Sequence, residues 1–201
     1  VPGDFSSAAF FLVAATVIPG SEITLTGVGV NPTRTGLLDI MIQMGADIKM
    51  ENERLRGGEP VADLVVRSAA LKSVEVGARI TGRAIDELPL VALLGAFAQG
   101  YTVVRGAAEL KVKESDRIAG LVASMKAAGV EIEAHEDGFS VRGGGVTGGG
   151  FESRGDHRMA MLGAVAGAAS RDGVEVADFE CVEVSFPNFL EAMKSLGGSV
   201  R

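Results

Sequence analysis

The segment MIQMGADI at residues 41–48 recurs twice along the chain, as MKAAGVEI at 125–132 and as MKSLGGSV at 193–200. In each copy a helix-like stretch ends, a glycine occupies the position that favours the left-handed conformation after a helix, and a strand-like segment follows. The recurrence predicts a fold made of similar helix–strand units stacked on one another. It also predicts that Met41, Met125 and Met193 are core residues and not a ligand-binding stripe.

Apolar periodicity extends this pattern in both directions. It predicts an α/β chain with helices inside and sheets outside, forming a single lobe over residues 1–201 with internal repeats at 1–68, 74–142 and 150–201. The segment 52–60 is predicted to be a turn-rich connection and the glycine-rich segment 143–150 a flexible loop. The third repeat is shorter than the others, and we expect a strand contributed by an N-terminal part outside this sequence to complete it. We predict helices at 8–16, 37–44, 86–98, 114–127, 156–169 and 189–196, and strands at 22–26, 46–50, 62–67, 101–105, 130–134, 139–142 and 174–177.

Composition limits the classes of function. The chain has 201 residues, 47% of them hydrophobic and 22% charged, which is typical of a globular domain. The formal net charge of −7 argues against nucleic acid as a partner. The apolar run from Phe10 to Ile18 is too short to span a bilayer, so no membrane partner is expected. The opening residues Val1 to Asp4 look like the middle of a longer protein.

The single cysteine excludes an internal disulfide and a cysteine metal cluster. Cys181 is interpreted as a small buried hydrophobic residue, and a reducing, cytoplasmic location fits. No metal and no cofactor are expected.

The stretch Lys111 to Ile118, KVKESDRI, concentrates charged side chains ahead of an apolar helical pattern. Residues three or four apart share a helix face, so Arg117 is predicted to meet both Lys113 and Glu114. Cations and free backbone N–H groups at a helix start suit anion binding, and a carboxyl between them suits proton transfer. An ordinary solvated helix start with surface ion pairs is the alternative interpretation.

Two further polar clusters, Asp86-Glu87 and Asp156-His157-Arg158, also fall at predicted helix starts. If the repeats are related by symmetry, these helix ends face the same side of the lobe and their dipoles converge on one anion site. Asp86 could instead be a plain helix cap, and His157 a satisfied helix-start histidine. Glu87 is assigned a structural role.

The spelling of these motifs points to a family. The run Lys113-Glu114-Ser115-Asp116-Arg117 and the later run Asp156-His157-Arg158-Met159-Ala160-Met161 resemble the two C-terminal signatures of the 5-enolpyruvylshikimate-3-phosphate synthases, in the same order. The resemblance extends from Pro2 to Pro187 and covers the second half of that enzyme. It implies an enolpyruvyl transferase lobe of three βαβαββ units with pseudo-threefold symmetry.

The resemblance also implies partners and roles. Enzymes of this family transfer the enolpyruvyl group of phosphoenolpyruvate to the 5-hydroxyl of shikimate 3-phosphate and release phosphate, in aromatic amino acid biosynthesis. A second, N-terminal lobe, in the same chain or a separate one, supplies further substrate contacts. By resemblance, the catalytic residues are Asp86 as base, Lys113 as a bridge between the substrates, Glu114 as a proton-transfer group and His157 beside the departing phosphate. The substrate-binding residues are Asp86, Lys113, Arg117 and Arg158.

Two positions depart from many members of the family. Glu109 stands where many have Asn, and Val184 stands where many have Lys. Both resemble the glyphosate-tolerant branch. Because Val184 carries no charge, a third cation for phosphoenolpyruvate from this lobe is in doubt. Separately, Arg34 is interpreted as a residue that only fixes its loop.

Two alternatives stay open at this point. One is the lobe of a related transferase that acts on UDP-N-acetylglucosamine, against which the two signatures argue. The other is a non-catalytic repeat module that binds a partner through its helix ends. The concentration of acid, base and cations in three short runs disfavours the second.

Overall fold

The computed structural model describes residues 1–199. Its helices are α1 Phe5–Val17, α2 Gly36–Met44, α3 Ala78–Thr81, α4 Leu88–Phe97, α5 Arg117–Ala127, α6 His157–Ala169 and α7 Phe189–Ser195. Its strands are β1 Glu22–Gly29, β2 Asp47–Arg56, β3 Glu59–Arg67, β4 Glu75–Val76, β5 Tyr101–Val104, β6 Ile132–His135, β7 Gly138–Arg142, β8 Gly149–Glu152 and β9 Val174–Ala177. Short 3-10 helices cover Ala108–Val112 and Phe179–Val184.

Three helices form the centre of the lobe. α1, α4 and α6 are apolar around nearly their whole circumference, and each of them contacts the other two. A helix that is hydrophobic on all sides is stable only when it is enclosed, which is why these three lie inside. The prediction of an α/β fold with helices inside is confirmed.

The sheets lie outside this centre. β1, β3 and β2 form an antiparallel sheet in that order against α1. β4, β5, β7 and β6 form a mixed sheet against α4, and β8 pairs with β9 in parallel against α6. Each central helix therefore packs against its own sheet. The boundaries proposed for the internal repeats stay a prediction.

The recurring segments behave as the sequence predicts. Gly45, Gly129 and Gly197 all have φ near +90°, which only glycine adopts without strain. The methionine that opens each segment is buried in the common core. The last residue of the third copy, Val200, lies outside the described residues.

Three expectations about local structure are wrong. Residues 52–60 are not a loose connection, because β2 and β3 form a hairpin that turns at Gly57 and Gly58. The segment 143–150 is not a loop over its whole length either, because β8 begins at Gly149, and the flexibility of residues 143–148 stays a prediction. Its residue Gly143 lies so close to the carbonyl oxygen of Ala98 that an added Cβ would come within 1.6 Å of it.

The third error concerns where two helices begin. α5 starts at Arg117 and not at Glu114, because the side chain of Asp116 caps it by accepting a hydrogen bond from the N–H of Ala119. Lys113 therefore precedes the helix, in extended conformation. α4 starts at Leu88, so Asp86 lies ahead of the cap position, which Glu87 occupies without a side-chain capping bond.

Candidate active site

The starts of α4, α5 and α6 meet at the carboxylate of Asp86. Its Oδ1 lies 3.5 Å from Nζ of Lys113 and 3.5 Å from Nη1 of Arg117. Its Oδ2 lies 3.9 Å from a guanidinium nitrogen of Arg34 and 3.9 Å from one of Arg158. Four cations from three separate segments thus surround one carboxylate, which is one-fifth exposed.

None of these four distances is that of a normal hydrogen bond, which joins heavy atoms at about 2.7–3.2 Å. Each cation has a closer partner elsewhere. Lys113 lies 2.8 Å from Glu109, and Arg34 donates to Oγ of Ser6 at 3.0 Å. Arg158 lies 3.6 Å from Glu87. Asp86 is therefore held in a cationic field while its oxygens remain free to accept hydrogen bonds from a ligand.

Arg117 is the most enclosed of the cations, with a side chain that is 0% exposed. Its Nε donates to Asp156 at 2.7 Å and its Nη2 to Glu114 at 2.5 Å. Within residues 1–199, its Nη1 has no hydrogen-bond partner, although that nitrogen faces Asp86. A buried guanidinium nitrogen without a partner can still donate a hydrogen bond to the oxygen of an anion.

Burial opposes the ionisation of Asp86, but Arg158, Lys113, Arg117 and Arg34 together outweigh it and hold the pKa of Asp86 below its usual value. Asp86 is therefore ionised at neutral pH. The hydrogen bond to Glu109 and, after it, the charge of Asp86 raise the pKa of Lys113 despite partial burial. Lys113 accordingly carries its full positive charge.

His157 is the first residue of α6 and is half-buried. Burial and the neighbouring charge of Arg158 lower the pKa of His157, so the ring is neutral at neutral pH. A neutral imidazole beside cations can both donate and accept hydrogen bonds. Its neighbours include Glu114, which is 54% exposed and so accessible to a ligand or to water.

Asp156 fixes the geometry of this region from behind. It caps α6 by accepting the N–H of Arg158, and it also binds Arg117 and the hydroxyl of Ser115. Burial opposes its ionisation, but the hydrogen bond and charge of Arg117 prevail and lower the pKa of Asp156. One buried carboxylate thus links the start of α5 to the start of α6.

All six residues predicted for the site, Asp86, Lys113, Glu114, Arg117, His157 and Arg158, lie in this one cluster. Their chemical roles remain predictions. The prediction that Lys113 and Arg117 share a helix face is wrong, since Lys113 lies outside α5; they meet because both turn toward Asp86.

Sequence reasoning gave no site role to four members of the cluster, Ser6, Arg34, Glu87 and Asp156. Arg34 does more than fix its loop, because it reaches Asp86 and Ser6. Glu87, Ser6 and Asp156 supply buried partners. The one available signal was a charged residue at an otherwise apolar helix start, which applies to Glu87 and Asp156. Nothing in the sequence links Ser6 to Glu87, which lie 81 positions apart.

Among residues 1–199, no helix combines the length and the apolarity needed to cross a membrane. In the same part of the chain, no three or more His, Cys, Asp and Glu side chains are grouped so as to hold a metal ion.

Comparison with known proteins gives a consistent result. The family model of EPSP synthase (3-phosphoshikimate 1-carboxyvinyltransferase) matches residues 1–193. The chain is 53% identical over 190 residues to the 3-phosphoshikimate 1-carboxyvinyltransferase of Geobacter sulfurreducens, covering 94% of this chain and 44% of the relative. It is 50% identical over 197 residues to the enzyme of the same name from Thermosynechococcus vestitus, covering 98% of this chain and 45% of the relative. The chain thus spans less than half the length of these relatives.

Solved structures agree. The fold superposes on EPSP synthase from Acinetobacter baumannii with a TM-score of 0.97 and 42% identity, over 100% of this chain and 47% of the other. The enolpyruvyl transferase NikO from Streptomyces tendae shares the fold with a TM-score of 0.79 at 19% identity, over 44% of its own length.

Proposed function

This chain belongs to the EPSP synthase (3-phosphoshikimate 1-carboxyvinyltransferase) family, and from that premise we propose that it forms the C-terminal part of such an enzyme. The reaction is transfer of the enolpyruvyl group from phosphoenolpyruvate to the 5-hydroxyl of shikimate 3-phosphate, with release of phosphate. The observation that carries the proposal is the convergence of Lys113, Arg117 and Arg158 on Asp86. We also propose that the chain acts as one lobe of three repeats and works in the cytoplasm.

The proposed chemistry is an addition followed by an elimination. In the addition, Glu114 enters in its protonated form and gives its proton to C3 of phosphoenolpyruvate, the substrate hydroxyl oxygen bonds to C2, and Asp86 takes the hydroxyl proton. In the elimination, C3 returns a proton to the Glu114 carboxylate, the double bond re-forms, the bond from C2 to the phosphate oxygen breaks, and the departing phosphate takes up the proton that Asp86 held. His157 donates a hydrogen bond to the departing phosphate.

The cations serve binding in this proposal. Arg117 and Arg158 hold the phosphate and carboxylate of phosphoenolpyruvate, because guanidinium groups match the paired oxygens of both. Lys113 lies between the two substrates. Asp86 suits the part of base because it is ionised and its oxygens are not committed to normal hydrogen bonds.

We propose that the N-terminal lobe of the same enzyme, in the same chain or a separate one, covers this site. Glu114 is 54% exposed and Glu109 is 63% exposed, so in this chain alone water reaches the groups that would face the substrates. Water weakens contacts between charges, and it can exchange the protons that the reaction must transfer.

The test is an assay of phosphate release with both substrates, on the chain alone and together with the N-terminal half of the Geobacter sulfurreducens relative. We expect little release from the chain alone and strong release from the pair. Glu131→Gln, which alters an exposed residue outside the cluster, should match the unmodified chain. Robust release by the chain alone would contradict the need for a second lobe. Release with UDP-N-acetylglucosamine as acceptor, and not with shikimate 3-phosphate, would overturn the proposed substrate.

A further inference from the structure

Asp86 and Glu87 are adjacent carboxylates that occupy different environments. Asp86 faces the site and is one-fifth exposed, whereas Glu87 lies behind it and is only 2% exposed. Glu87 stands at the cap position of α4, yet its side chain makes no capping bond. A buried carboxylate is costly unless it is paired, so its partners indicate its use.

Those partners lead to the arginines of the site. Oε1 of Glu87 accepts a hydrogen bond from Oγ of Ser6 at 2.5 Å and lies 3.6 Å from Nη1 of Arg158. Ser6 has one hydroxyl hydrogen, and it donates that hydrogen in the hydrogen bond to Glu87. Its oxygen lone pairs therefore point away from Glu87, and one of them accepts from Nη2 of Arg34 at 3.0 Å.

Each of these arginines is shared between Asp86 and a group behind it. Arg158 has one nitrogen toward Glu87 and the other 3.9 Å from Oδ2 of Asp86. Arg34 has one nitrogen on Ser6 and the other 3.9 Å from the same Oδ2. Without the rear contacts, Asp86 would be the nearest anion for both, and they would close on it as ordinary ion pairs. The oxygens that a substrate hydroxyl needs would then be occupied.

We propose that Glu87, acting directly on Arg158 and through Ser6 on Arg34, is a positioning residue that keeps these two arginines off Asp86. Glu87 touches no substrate in this scheme. Its effect on the reaction passes through the placement of two guanidinium groups, whose displacement by about 1 Å can cost up to about 100-fold in rate.

The first variant is Glu87→Gln, which keeps the size and the acceptor for Ser6 but removes the charge. The kinetic readout rests on the proposed function. We expect kcat/KM for phosphoenolpyruvate to fall about tenfold or more in the assembled enzyme. Burial raises the pKa of Glu87, which means that the fold bears a cost for its charge. A neutral amide should therefore leave the melting temperature unchanged or higher. A residue with a merely structural role would instead lose stability and keep its rate.

The second variant is Ser6→Ala, which should reduce kcat/KM in the same direction by a smaller factor. Combined with Glu87→Gln it should add little, because both changes act in one chain of contacts. Ser124→Ala is the matched control, since Ser124 is also a buried serine but bonds only to the backbone of Glu152. It should leave the rate unchanged.

A readout without turnover separates this inference from the proposed function. In 15N NMR of this chain, the side-chain Nε–Hε signals of Arg34 and Arg158 report whether the groups are held. We expect both signals to shift or broaden in Glu87→Gln, the Arg34 signal in Ser6→Ala, and neither in Ser124→Ala. Unchanged signals in Glu87→Gln and Ser6→Ala would overturn the inference, even if the enzyme is active.

The combined outcomes are distinct. If the unmodified assembled enzyme is inactive with both substrates, the proposed function fails and NMR still decides the role of Glu87. If it is active and Glu87→Gln has the same kcat/KM, the inference alone fails. If Glu87→Gln does not fold, Ser6→Ala decides, because an alanine suits the first turn of α1 and removes only the hydroxyl.

Discussion

Nε of Arg117 donates a hydrogen bond to Oδ2 of Asp156 at 2.7 Å, and neither side chain is exposed to solvent. This buried pair joins the first residue of α5 to the cap of α6. The pair holds two helices of the lobe together and also fixes the position of Arg117 in the site. Changes to either partner should therefore alter folding and chemistry together.

Asp156→Asn should remove an acid-dependent part of the stability. The folded pKa of Asp156 lies below its unfolded value, which is about 3.9. The stabilisation by ionised Asp156 is thus complete above that value and is lost as pH falls through the folded pKa. We expect the melting temperatures of the two proteins to differ by a constant amount from pH 7 to about 5 and to converge below about pH 4.

The matched control for that series of thermal melts is Asp116→Asn, which alters the cap of the neighbouring helix at an exposed position. Asn caps a helix as well as Asp does, so little change is expected at any pH. A gap between Asp156→Asn and the unmodified chain that persists or widens at low pH would contradict the ionised pair.

Arg117→Ala should cost about 3–5 kcal/mol of unfolding free energy, because it leaves Asp156 buried without its partner. Arg117→Lys should cost less but still reduce affinity for phosphoenolpyruvate in the assembled enzyme, since an ammonium cannot reach Asp156, Glu114 and a ligand at once. Urea unfolding measures the first effect and calorimetric titration the second. Arg142→Ala, which removes an exposed pair with Glu131, should change stability by about 1 kcal/mol or less. If Arg117→Ala changed neither the unfolding free energy nor the affinity for phosphoenolpyruvate, the role of Arg117 in the fold and in binding would be refuted.

Asp86→Asn should lower turnover of the assembled enzyme by about 100-fold or more, because the proposed base is lost while its size is kept. The cap of α4 is unaffected, since Asp86 lies outside it. Four cations lose a counter-charge, so the melting temperature should fall, and added inorganic phosphate should raise it more than in the unmodified chain. Turnover equal to that of the unmodified enzyme would remove Asp86 from the mechanism.

Gly143→Ala should destabilise the lobe by about 1–3 kcal/mol through overpacking against the carbonyl oxygen of Ala98. Its neighbour provides the control. A Cβ at Gly144 meets no atom within 4 Å, so Gly144→Ala should stay within about 0.5 kcal/mol of the unmodified chain. Urea unfolding of the two variants is the measurement, and equal stabilities would show that the segment yields as a flexible loop does.

Much of the fold could be predicted because local sequence patterns identify its helices and strands. A glycine recurs four residues after Met41, Met125 and Met193 and marks three helix ends. The helices that are apolar on all sides must be buried in the core. The β2–β3 hairpin was missed because β2 is exposed on both faces over most of its length, which removes the alternation that identifies a strand. The strand that begins within the segment 143–150 was missed because composition does not distinguish a glycine that gives freedom from one that permits close packing.

The site was predictable only as far as its motifs reach. Lys113, Glu114 and Arg117 lie within one run, so their proximity could be inferred. The network of Ser6, Arg34 and Glu87 depends on the tertiary packing of α1 against α4. The spacing of these residues in the sequence does not predict their contacts.

The mutual pairing inside the cluster has a consequence for how a ligand arrives. Its four cations touch five carboxylates, Asp86, Glu87, Glu109, Glu114 and Asp156, and the formal net charge of the chain is −7. An anion diffusing toward this chain is therefore not drawn in by a positive field. Added salt, which screens the net repulsion, should speed its encounter with the chain. Capture then depends on exchange at contact distance, in which ligand oxygens take the places of carboxylate oxygens that the guanidinium groups already touch.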